Sequence, residues 1–99
     1  MNSSTIIAKL RENEAELKAA GFEHIALHGS YARGTALRES SDVDVIADFD
    51  HTKRLSLIGR IHLENMLTDL LGVKADVADR KLLLPEVAER AERESILAF

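Results

Sequence analysis

The chain has 99 residues, 45% of them hydrophobic and 30% charged, with a net charge of −4 and no cysteine. That length suits one packed core, so a single domain over residues 1–99 is expected. The acidic balance argues against a general nucleic-acid binder, and the lack of cysteine excludes disulfides, thiolate nucleophiles and cysteine-based zinc sites.

In chain order, Ser3, Ser4 and Thr5 are N-cap candidates for a first helix over residues 4–20, with Ile6, Leu10 and Leu17 at helical spacing. Its opening, MNSSTIIAKLRENEAE, has no signal-peptide apolar region. No run in the chain nears the ~20 apolar residues that span a bilayer, so a cytoplasmic protein without membrane association is expected. Gly21 ends the helix, and His24 to His28 (HIALH) reads as a strand closing at Gly29. A helical turn at Tyr31–Arg33 and a polar loop through Ser41 come next. Asp42 to Asp48 (DVDVIAD) is the clearest strand.

Arg54 to Leu71 reads as a long amphipathic helix, its stripe made by Leu55, Ile58, Leu63, Met66, Leu67 and Leu70 and its stop by Gly72. Val73 to Val77 is a third strand. Pro85 opens a last helix whose inward residues are Val87, Ala91, Ile96 and Leu97. The order implies an α/β (α+β) fold, a small mixed sheet with helices packed on it.

Alternation along a strand sends Asp42 and Asp44 to one side and Val43 and Val45 to the other. Like charges ~4 Å apart repel by ~1 kcal/mol in water and ~4 kcal/mol at an effective dielectric of ~20. A pair held near the second figure needs a proton or a cation between its carboxylates. Mg²⁺ suits such a pair, because it combines a few carboxylates with water and phosphate oxygens. The ordinary alternative is an edge strand whose aspartates face water. Asp76, between Ala75 and Val77, is a third carboxylate that a neighbouring strand would bring beside the pair.

Gly29 lets the backbone turn and approach a ligand, and Ser30 offers a hydroxyl and nearby N–H groups to a phosphate. Two other motifs fail. Gly29–Thr35 has the glycine spacing of a P-loop but threonine where lysine is required, and Asp42–Asp44 starts like an EF-hand that Ile46 and Ala47 then break. None of the four histidines has a zinc-site partner at the usual spacing. His62 reads as surface, His28 lies beside the candidate site, and Tyr31 is expected to pack.

Gly29-Ser30-Tyr31-Ala32-Arg33-Gly34 followed by Ser41-Asp42-Val43-Asp44 resembles the signature of the DNA polymerase β-like nucleotidyltransferases, above all their minimal branch. Eleven residues separate Ser30 from Asp42, where many relatives have ten. His28 stands where relatives often carry an aromatic or aliphatic residue. The resemblance implies a nucleotidyltransferase fold in which Asp42, Asp44 and Asp76 hold two Mg²⁺ ions and Gly29 and Ser30 hold phosphates. It also implies that Asp76 draws the acceptor's proton and that Arg33 contacts phosphate or pairs with a nearby acid. The activity implied is transfer of AMP from ATP to a tyrosine of a HEPN-domain ribonuclease toxin, in the manner of a type VII-like antitoxin. An alternative is a binding module that neutralises the toxin by contact, with the C-terminal SILAF among its docking residues.

Overall fold

The structure, a computed structural model, describes residues 2–34 and 42–99. Helices α1 (Ser3–Glu12) and α2 (Glu14–Ala20) lead into strand β1 (Phe22–His28) and the short helix α3 (Gly29–Arg33). Strand β2 (Val43–Phe49), a 3-10 turn (His51–Lys53), helix α4 (Leu57–Leu71) and strand β3 (Ala75–Asp79) follow. A second 3-10 turn (Arg80–Leu82), helix α5 (Pro85–Glu94) and strand β4 (Ile96–Leu97) come last. The expected loop through Ser41 lies outside the described residues.

The strands form a mixed sheet in the order β3-β2-β1-β4. β1 runs antiparallel to β2 and β4, whereas β2 and β3 are parallel. A parallel pair needs a crossover, and α4 supplies it. Along β2, Val43, Val45, Ala47 and Phe49 face one side and Asp44, Ile46 and Asp48 the other. The first side meets Ile6, Leu10, Leu17, Leu63, Leu67 and Leu71 from α1, α2 and α4 to make the core. Burying each such leucine or isoleucine contributes ~1.5–3 kcal/mol. Phe22 stacks on Phe49 there, with ring centroids 5.6 Å apart.

β3 is an edge strand, and α4 covers its outward N–H groups. Ala75 N–H donates to Thr68 Oγ1 at 3.0 Å and Val77 N–H to Glu64 Oε2 at 3.2 Å. An edge closed in this way is a poor template for strand addition.

Several local expectations are corrected. The first helix is two, broken at Asn13, whose side-chain amide donates to the Lys9 carbonyl at 2.8 Å. Asparagine competes in this way with regular helical bonding. The N-cap is Asn2, whose Oδ1 accepts from Thr5 N–H at 2.9 Å, rather than Ser3, Ser4 or Thr5. α4 starts at Leu57 because Ser56 caps it, accepting from Gly59 N–H at 3.0 Å. Ile58, expected on its apolar stripe, is exposed.

The last helix buries Ala91 but stops at Glu94. Ile96 and Leu97 are not its inward residues; they pair with Leu27 and Ala26 as β4 and stay exposed. Ile96 lies five positions after Ala91, which is off the helical period. Ala98 is buried instead, and Arg11 fixes the strand by donating to the carbonyls of Ala98 (2.8 Å) and Leu97 (3.2 Å).

Candidate active site

Asp44 and Asp76 are register partners on the adjacent strands β2 and β3. His28 is paired with Asp44 from the other side, across β1 and β2. Residues directly opposite in a sheet project to the same face, so His28, Asp44 and Asp76 form a row across three strands. Asp42, just ahead of β2, lies within hydrogen-bonding reach of Asp76. The three aspartates singled out from the sequence therefore come together on the sheet face opposite the core.

Gly29 joins them through its backbone. Its φ is +74°, in the left-handed region that favours glycine, and a Cβ there would lie 2.5 Å from Asp44 Oδ2. Both the turn and the carboxylate's position thus require that Gly29 have no side chain. Ser30 is half-buried beside it, whereas Arg33 is exposed at the end of α3 and forms no ion pair with a described residue. Tyr31 is buried in the core, as expected of a packing residue, and His62 is at the surface.

The Asp76 carboxyl is raised above its ordinary value, chiefly by burial. Asp42 and Asp44 raise it further, and Lys74 opposes the shift from 3.8 Å away. Burial leads the causes although 46% of the side chain is exposed. Among the described residues, no three His, Cys, Asp or Glu side chains form a ready-made metal cage. Oxygen donors in this number nonetheless suit a hard cation, which commonly takes one or two carboxylates and completes its shell with water and phosphate oxygens.

A cavity of about 260 Å³ opens beside the row. His28, Asp44 and Asp76 line one part of it, and Ile46, Ala78, Leu83 and Val87 line another. The Nδ1 of His28 is buried, with no hydrogen-bond partner among the described residues. Sequence reasoning noted His28 and expected Val87 to be inward, but missed Ile46, Ala78 and Leu83 as walls. Ile46 was legible, since alternation puts it on the Asp44 face; the approach of Leu83 and Val87 depends on how the chain returns after β3. A larger hollow of about 530 Å³, lined by Lys18, Phe22, Glu23, His24, Asp50 and Thr52 among others, includes none of Asp42, Asp44 and Asp76.

The family profile described as a nucleotidyltransferase domain matches residues 7–98. The protein adenylyltransferase MntA of Thermococcus cleftensis is 38% identical over 76 residues, covering 77% of this chain and 74% of that one. A solved structure assigned as a minimal nucleotidyltransferase superposes with a TM-score of 0.80 at 31% identity, over 97% of this chain and 95% of the other. A toxin–antitoxin crystal structure with AMP-PNP gives a TM-score of 0.68 at 25% identity, over 100% of this chain and 73% of the other. The mixed sheet, the carboxylate row at its face and these matches lead to one assignment: the chain belongs to the nucleotidyltransferase domain family, in the minimal branch that includes MntA-type antitoxins.

Proposed function

We propose that the protein is a Mg²⁺-dependent protein adenylyltransferase that neutralises a HEPN-domain ribonuclease toxin by moving AMP from ATP to one of its tyrosines. The observation that carries this reading is the Asp44–Asp76 register, with Asp42 in reach and Gly29 packed on Asp44. Support comes from the relative named as a protein adenylyltransferase and from the toxin–antitoxin neighbour with AMP-PNP.

In this reading Asp42, Asp44 and Asp76 hold two Mg²⁺ ions. Bound there, the metal would neutralise the triphosphate and stabilise charge on the attacking and leaving oxygens. Gly29, lacking a Cβ, lets its backbone approach the β- and γ-phosphates, and Ser30 donates its hydroxyl to them. Arg33 adds positive charge from the end of the same short helix. The tyrosine oxygen bonds to the α-phosphorus as the bond from that phosphorus to the bridging oxygen breaks. The electron pair leaves with pyrophosphate, and Asp76 takes the phenolic proton. Its need for ATP places the proposed reaction in the cytoplasm.

Incubation with labelled ATP, Mg²⁺ and the cognate HEPN protein should label that protein, and Asp42→Asn/Asp44→Asn should reduce the label to background. Equal labelling by the double variant would overturn the assignment. If the double variant also rescued toxin-expressing cells as well as wild type, neutralisation by contact alone would replace it.

A further inference from the structure

We infer that His28 is a ligand of the cation held at the carboxylate row, sharing it with Asp44, and that its imidazole widens the site's preference from Mg²⁺ to borderline transition-metal ions such as Zn²⁺ and Co²⁺. This rests on the metal-binding part of the adenylyltransferase reading and names the residue that sets which ion is taken.

His28 ends β1 directly opposite Asp44 on β2. Side chains paired in this way project to one face with Cβ atoms about 4.5–5.5 Å apart, within reach of a single ion. The Nδ1 of His28 is nevertheless buried with no hydrogen-bond partner among the described residues, Asp44 included. Buried polar atoms are nearly always paired, so the orphaned nitrogen points to a ligand. The surroundings narrow what that ligand is. Asp44 and Asp76 share one cavity with the imidazole, and its other lining side chains are apolar, Ile46, Leu83 and Val87 among them. Two carboxylates disfavour an anion there. A cation engages the nitrogen lone pair and the carboxylates together. Two protein donors suffice, because water and phosphate oxygens complete the shell. The absence of a three-residue cage among the described residues is therefore no obstacle.

The nitrogen changes which ion is favoured. Mg²⁺ is hard, takes oxygen ligands and gives up water reluctantly, so the carboxylates serve it and an imidazole adds little. Imidazole suits borderline ions, whose affinity for nitrogen-containing sites rises from Mn²⁺ through Co²⁺ to Cu²⁺. An aromatic or aliphatic residue at this position would offer no such donor. His28 thus separates this chain from a row of oxygens alone. His24, His51 and His62 are exposed and lie outside the cavity, so they serve as internal controls.

The test adds Zn²⁺ or Mg²⁺, without nucleotide, to protein labelled with nitrogen-15 at histidine and follows the ring nitrogens by NMR. Zn²⁺ is expected to move the His28 signals before those of His24, His51 and His62, and Mg²⁺ to move them far less. Asp44→Asn should abolish the Zn²⁺ shift at His28. By calorimetry, His28→Phe should weaken Co²⁺ binding at least about ten-fold, a loss usual even for groups one layer behind a metal's ligands. Mg²⁺ affinity should stay within about two-fold of wild type. Should His28→Phe lose the amide dispersion of a folded chain, His28→Leu removes the nitrogen with a smaller side chain. The inference is overturned if Zn²⁺ leaves the His28 nitrogens unmoved, as a water bound to Nδ1 would have it, or if the shift survives Asp44→Asn. It is also overturned if His28→Phe lowers Co²⁺ affinity no more than Mg²⁺ affinity. Because these readouts need neither nucleotide nor partner, absence of AMP transfer by wild type would count against the adenylyltransferase reading alone.

Discussion

Gly29 and Asp44 show how one residue's missing side chain fixes another's position. With φ at +74° and a hypothetical Cβ 2.5 Å from Asp44 Oδ2, Gly29→Ala brings both backbone strain and a displaced carboxylate. The strain costs about 1–3 kcal/mol, and each kcal/mol lowers Tm by about 4–8 °C in a domain of this size. Thermal melting of Gly29→Ala should show that fall, with weaker Mg²⁺–ATP binding by calorimetry. Asp76 works in the opposite direction. An acid raised above its ordinary 3.8 binds its proton more tightly when folded, so stability declines as pH rises from 3.8 through the raised value and remains lowered above it. Asp76→Asn removes that penalty. Its pair with Lys74 is loose, 3.8 Å between partners that are both largely exposed, and gives up little. Without divalent cation the variant should melt above wild type at neutral pH, the gap closing below 3.8. A lower melting temperature at neutral pH would mean that the Lys74 pair outweighs burial and repulsion.

At the scale of elements, legibility followed periodicity. The β2 alternation is so regular that its two faces, apolar and acidic, could be assigned from residues 42–48 alone. The ends of α4 and α5 were harder, because they turn on single capping residues: Ser56 sets one start, and Ser95 ends the other helix in extended backbone. The turn from helix to β4 reflects a tertiary gain, pairing with the free edge of β1, which no local pattern carries. The packed face of α4 can be tested directly. Leu67→Ala, at a fully buried position, should cost about 2–5 kcal/mol in urea denaturation. His62→Ala on the exposed face should stay within about 0.5 kcal/mol. Equal effects would contradict the assigned face.

For the molecule as a whole, one layer of helices fills the core and the opposite sheet face is left for chemistry. Gly29, Asp44 and Asp76 were each legible as residues, but their meeting depends on β2 and β3 being parallel neighbours. The order of elements allows that arrangement and does not dictate it. Of the cavity walls, Ile46 follows from strand alternation, whereas the approach of Leu83 and Val87 depends on the stretch after β3 folding back over the sheet. The proposed catalysis requires a divalent ion bound with nucleotide at the three aspartates. Paramagnetic broadening of backbone amide signals by Mn²⁺ with ATP measures this most directly. Selective loss of the Gly29, Asp44 and Asp76 signals, absent in Asp42→Asn/Asp44→Asn, is the predicted result. Broadening centred on His24 and Thr52 in the larger hollow, or equally strong at the aspartates in the double variant, would contradict it.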